Sequence, residues 1–388
     1  MRGFFILLTT FVLAWPQYDG QAAAAATQEP ATKAEGQAAD DKTPDVKTPD
    51  VKRNLPDYAT IVQSTVDGHI RPAYGRLAKS SKSLAVLMEA ACRTDEGVNT
   101  PAIAKSFRAM VSAWAAVQHI RFGPVQDENR YERIAFWPDL KNLTARQLKS
   151  TLEQRDPTAI DPDSLAKKSI ALQGLTALER LMTMKPASDP DAAHYRCQFA
   201  QAITENLVRI TSDVFEAWQP GRDFPRVLAQ TGSENPLYRD QREAALEVLK
   251  SLVGGLQFLH ERKLQAPLGD TVENARPKRG EFWRSGNALA ALDSSFATLR
   301  EVYVESGISA YAKSVDSALD KNLLEDYDQA LVTLKAVNKP FVEASADKIM
   351  RPKLEYLRFL AHDLFELTSG NLAIVLDLSL GFNALDGD

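Results

Sequence analysis

From Pro56 onward, apolar residues recur at helical steps. Val62, Val66, Ile70, Tyr74, Leu77, Leu84, Met88 and Ala91 lie three, four or seven apart, which makes one stripe along a helix that Pro72 is expected to kink. Thr100 before Pro101 reads as a cap and first-turn proline opening a second helix, with Phe107, Met110, Trp114, Val117 and Ile120 inward and Phe122-Gly123-Pro124 as its stop. A long polar connection follows, holding Tyr131, Phe136 and Trp137, and Thr144 with Gln147 has the spacing of a capping box. One helix is expected from Asp163 or Ser164 through Leu165, Ile170, Leu172, Leu178, Leu181 and Met184. Another starts at Asp189-Pro190 and runs through Tyr195, Phe199, Ile203, Leu207, Ile210, Val214 and Trp218.

Residues 219–235, with Pro220, Gly221, Pro225 and Gly232, read as a linker. A second set begins at Pro236 with Leu246, Leu249, Val253, Leu256 and Leu259 inward, then helices near 286–305, 309–320, 323–338 and 352–368. The chain closes without helical period, and Ala373 to Leu380 is the one stretch that suits a strand. The expectation is an all-α protein of two helical bundles with few or no strands, one over 55–220 and one over 221–388.

The first residues change the setting. Arg2 precedes an apolar run from Phe4 to Trp15, broken by Pro16 and Gly20, and Ala22 to Ala26 offers cleavage sites. Residues 1–26 therefore read as a cleaved signal peptide, since a spanning helix needs roughly 20 apolar residues. No later segment approaches that length, so the mature chain is expected in the periplasm without a transmembrane segment. Residues 27–54 hold the repeat TPDVK-TPDVK and little that could form a core, the composition of a disordered tether. In an oxidising compartment Cys92 and Cys197 are expected to bond. Closing a loop of about 100 residues would stabilise the fold by roughly 4–5 kcal/mol. The net charge of −5 is mild and the cations are scattered, so no nucleic-acid footprint is read; small, non-phosphate partners stay open.

Five segments carry a resemblance: KSIALQGLTALERLM from Lys168, QHIRFGPV at 118–125, FWPD at 136–139, FWRSG at 282–286 and GFNALDGD at 381–388. In order and spacing the chain resembles the imelysin family, also known as peptidase M75 and as iron-regulated imelysin-like proteins, from about residue 56 to 388. That resemblance implies an all-α, two-domain periplasmic or surface protein linked to iron supply. It also implies a helix-borne G-x-H-x-x-E whose His and Glu are proposed metal ligands or peptidase residues. Here Gly174 and Glu179 match, and Thr176 stands at the histidine position.

The departure has chemical weight. Residues three apart share a helix face and could reach one metal. Imidazole is a strong ligand for iron or zinc, whereas a neutral hydroxyl is poor, and a catalytic zinc site normally takes about three protein ligands. Glu179 could equally pair with a lysine or arginine, and Gly174 could serve close helix packing. His69, His119, His194, His260 and His362 show no paired metal spacing. His119 could face the helix of Glu179 or take a capping or hydrogen-bonded role, and with Glu179 it is the metal-ligand candidate.

Arg121, Arg130, Arg133 and Asp139 surround Trp137 in a charged, aromatic-rimmed region suited to a small anionic or metal-chelate ligand. The alternative is that Phe136 and Trp137 plug a bundle end while the charges pair. Asp386-Gly387-Asp388 offers oxygen ligands for a hard cation. No G-x-S-x-G elbow or glycine-rich phosphate loop is present. The reading is a periplasmic, imelysin-like, non-catalytic binding protein of iron acquisition, taking iron, another divalent metal or a small iron-related ligand. An M75-type metallopeptidase and an envelope interaction module with protein partners are the alternatives.

Overall fold

A computed structural model describes residues 54–94 and 96–381. The expected signal peptide, the expected tether up to residue 53 and the acidic ending at Asp386 and Asp388 lie outside the described residues.

The stripe from Val62 to Ala91 is buried along its whole length, as its spacing requires. It is carried by α1 (Tyr58–Ser64), capped by Asp57, and α2 (Arg71–Arg93). A π-helical turn over Thr65–Ile70 joins them, so the expected kink is a widened turn ending just before Pro72. Next come α3 (Pro101–Ala115), α4 (Arg130–Ile134), α5 (Leu143–Gln154), α6 (Pro162–Leu165), α7 (Gly174–Thr183) and α8 (Pro190–Ala217). The second half has α9 (Asp223–Ala229), α10 (Gln241–Phe258), α11 (Ala266–Leu268), α12 (Ala288–Glu305), α13 (Ile308–Val315), α14 (Ser317–Lys335), α15 (Phe341–Ala344), α16 (Arg351–Glu366) and α17 (Ala373–Val375). No strand occurs among the described residues.

Two bundles result. In one, α2 packs against α8 and α3, and α7 against α8; in the other, α10, α12, α14 and α16 pack together. Helices of the two halves also touch, α3 against α12 and α1 against α10, and residues from 54 onward form one compact unit. Cys92, at the end of α2, is disulfide-bonded to Cys197 near the start of α8, with Cα atoms 5.5 Å apart. No helix among the described residues is long and apolar enough to cross a membrane.

Four boundaries differ from expectation, each for a local reason. The helix expected over 163–184 breaks, because Ser169 and Gln173 bond the turn at 166–171 and Gly174 enters α7 with φ +73°. The capping box at Thr144 does not form; Asp139 accepts from the amides of Leu143 and Thr144 instead, at 2.8 and 2.9 Å. Asp316, accepting from the amides of Ala318 and Leu319, moves the break expected near 320 back to α13/α14. Ala373 to Leu380, considered as a strand, continues α16 through a π-helical turn at Leu367–Leu372 into α17 and a turn.

Candidate functional site

Gly174 fixes the geometry of the site. A Cβ there would lie 2.4 Å from the carbonyl oxygens of both Arg133 and Ile134, and its φ of +73° disfavours any side chain. Glycine lets the first turn of α7 press on the end of α4, which leads into Phe136-Trp137-Pro138-Asp139. Thr176, Glu179 and Arg180 on α7 thereby stand beside Trp137 and Asp139. The loop 275–284 closes the opposite side, and together they enclose a groove of about 580 Å³.

Within FWRSG, Phe282 holds a left-handed backbone, φ 51°, with its ring buried 6.1 Å from that of Phe107. Non-glycine residues in that region cost strain and recur at functional loops. Phe282 anchors the loop, while Trp283 and Arg284 line the groove.

Glu179 is only 3% exposed. One of its oxygens accepts from the Ser285 amide at 3.0 Å and from the Ser285 hydroxyl at 2.7 Å. Asn287 donates to that hydroxyl at 3.0 Å. Burial pushes the Glu179 carboxyl above its ordinary range, against the Ser285 hydrogen bonds and the Arg284 charge, which pull it down. The partner of Glu179 is thus a serine, where a lysine or arginine was considered.

The other acids of the groove are also engaged. Asp139 caps α5. Glu281 lies 2.9 Å from Lys263 and accepts from Gln118 at 2.8 Å, in a buried ion pair that Ser295 completes by accepting from Lys263. Burial holds the Lys263 ammonium below its ordinary range, with Glu281 opposing.

The cations are freer. Arg180, Arg276, Lys278, Arg279 and Arg284 line the groove, and none forms an ion pair among the described residues. Arg284 lies 4.4 Å and Lys278 5.6 Å from the Trp283 ring centre. Burial, and then the charge of Arg180, lowers the Arg284 pKa from its ordinary value.

The remaining candidates from sequence lie elsewhere. His119 is buried with its ring 5.2 Å from that of His69, beside Lys263 and Thr298, and it does not line the groove. Burial, then His69, holds its pKa well below the ordinary value. Arg121 donates to the Tyr131 hydroxyl at 2.9 Å and covers the Phe258 ring. Arg130 and Arg133 pair locally with Asp127 and Glu128. Thr176, Glu179, Trp137 and Asp139 are therefore brought together, while His119 and Arg121 are not. Among the described residues no group of three or more His, Cys, Asp or Glu is arranged to hold a metal ion. At the histidine position of the G-x-H-x-x-E pattern stands the neutral hydroxyl of Thr176, and one oxygen of Glu179 is bonded to Ser285.

Sequence reasoning gave no role to Ser285, Arg180 or the basic loop 276–279. FWRSG was the signal for the first, since a motif so far from α7 had to meet something.

The fold is all-α, and Thr176 and Glu179 of the family-like motif line an aromatic, basic groove. The imelysin family model (peptidase M75) matches residues 70–369, and the chain belongs to that family. An imelysin-like protein from Psychrobacter arcticum 273-4 has a similar solved structure, with a TM-score of 0.69 at 18% identity, over 84% of this chain and 97% of that one. A candidate iron-regulated protein A precursor from Parabacteroides distasonis ATCC 8503 gives 0.67 at 14%, over 82% and 94%. At these identities the likeness is one of fold. No curated protein sequence is significantly similar to the chain.

Proposed function

We propose that this imelysin-family protein is a periplasmic, non-catalytic binding protein of iron acquisition, and that the groove beside α7 receives iron or a small iron-bearing ligand as cargo. One observation carries the reading: Glu179, the carboxylate of the family motif, is buried and bonded twice by Ser285, with Thr176 at the histidine position. Peptide hydrolysis requires an activated water or nucleophile and a stabilised oxyanion converging on one point. A buried carboxylate bonded to serine in a basic, aromatic groove suits holding a ligand. The solved relative described as an iron-regulated protein A precursor supports the link to iron, and the apolar run at Phe4–Trp15 supports export.

Equilibrium dialysis of the purified protein against radioactive iron, offered once as ferrous ion and once as a ferric chelate, tests the reading. Saturable retention from at least one form is expected. Retention from neither would overturn it.

A further inference from the structure

The charge of the groove is unbalanced in a way that specifies its ligand. Five cationic side chains face three carboxylates, Asp139, Glu179 and Glu281. Each carboxylate already has its partners: Asp139 on the α5 amides, Glu179 on Ser285, Glu281 on Lys263 and Gln118. The cations are less fully compensated: Arg276 donates to the carbonyls of Glu273 and Ala275, and Arg284 is attracted by Glu179 and Asp139 without forming an ion pair with either. Arg180 reaches only the Asn142 side chain, at 3.5 Å, and its Nε is buried with no hydrogen-bond partner among the described residues. The indole Nε1 of Trp283, on the facing loop, is unpartnered in the same way. Arg180 and the half-buried Arg284, both lining the groove, repel one another. Unpaired buried donors and like charges held together are both unfavourable until an acceptor arrives.

A multiply charged oxyanion would offset the excess of cationic side chains along the groove. Guanidinium groups offer planar forks of N–H donors that match carboxylate or phosphate oxygens. Lys278 and the exposed Arg276 and Arg279 add attraction at the mouth, and Trp137 and Trp283 supply apolar walls.

We propose that the groove binds a small polyanion through its oxyanion groups, gripped by Arg180 and Arg284 with Lys278 at the rim. This deepens the binding reading above and rests on it: an iron complex would enter by its anionic face, and a bare cation would be repelled. Recognition then belongs to the anion and survives removal of the metal.

Isothermal titration of the purified protein, stripped of metal by a chelator and dialysed, tests this with citrate and pyrophosphate as metal-free probes and ferrous ion as a third. At least one anion is expected to bind saturably and to weaken as salt rises. Its Kd should increase about tenfold in Arg284→Gln, as loss of a charge-assisted hydrogen bond implies. Lys278→Gln, on an exposed loop where folding is not at stake, should weaken binding by a smaller factor. Tighter citrate binding assigns a carboxylate ligand, and tighter pyrophosphate binding a phosphate one. Failure of both anions to bind at millimolar concentration, or parental affinity in both variants, overturns the proposal. Ferrous binding without anion binding overturns it and leaves the iron reading standing. Anion binding by a protein that retains no iron supports it and removes the iron reading.

Discussion

Ser285 donates two hydrogen bonds to a single oxygen of Glu179, from its amide at 3.0 Å and its hydroxyl at 2.7 Å, across 106 residues of sequence. The contact ties α7 to the loop before α12, so the motif carboxylate helps to join the halves of the chain. Hydrogen bonds to a buried charged group each contribute about 1.5–3 kcal/mol. Ser285→Ala should therefore lower stability by roughly that amount in urea unfolding. Glu179→Gln should cost less, because the amide oxygen still accepts from both donors. The reverse order would show that Glu179 has a more important partner than Ser285.

Gly174→Ala should destabilise by about 2–4 kcal/mol, combining left-handed backbone strain with a clash against two carbonyls. The loss should appear as a lower melting temperature. It should be accompanied by altered fluorescence of Trp137, because α4 and the segment after it must move for the new methyl to fit.

Much of this was legible beforehand. The stripe from Val62 to Ala91 is buried because period and burial are one fact in a helix, and Cys92 and Cys197 could be paired from their number and the compartment expected from the first residues. Gly174, Thr176 and Glu179 were legible as a motif. Periodicity, however, reports which face of a helix turns inward and not which distant loop meets it. Hence Ser285 and the cations of 276–284 were missed, while His119, on a turn of its own after α3, was assigned toward Glu179 and instead meets His69.

Lys263 and Glu281, each 3% exposed, form a buried ion pair behind the groove. Breaking it from one side leaves an uncompensated charge, so Lys263→Met should destabilise by about 3–5 kcal/mol. The double variant Lys263→Met/Glu281→Leu should recover most of that loss, because no buried charge remains. Equal instability of single and double variants would contradict the pairing as the source.

Asp326 supplies a pH dependence. Burial, followed by the neighbouring Asp363 carboxyl, raises its pKa to about 7. The folded state therefore holds this proton more tightly than the unfolded chain. Its stabilising contribution is present below the ordinary carboxylate range and is lost as pH rises from about 4 to 7. Asp326→Asn should flatten that slope and gain about 1 kcal/mol at pH 8 relative to the parent, a figure reduced for partial solvent exposure. Denaturant melts at pH 5 and 8 would measure it, and an unchanged slope would rule Asp326 out as its source.

The central claim is that the groove holds a ligand and does not cleave peptides. Incubation of the purified protein with an unfolded protein substrate, with and without added zinc or iron, tests it most directly. The substrate should remain intact under every condition. Cleavage that persists through repurification and disappears in Glu179→Gln would contradict the account and make Glu179 a catalytic base.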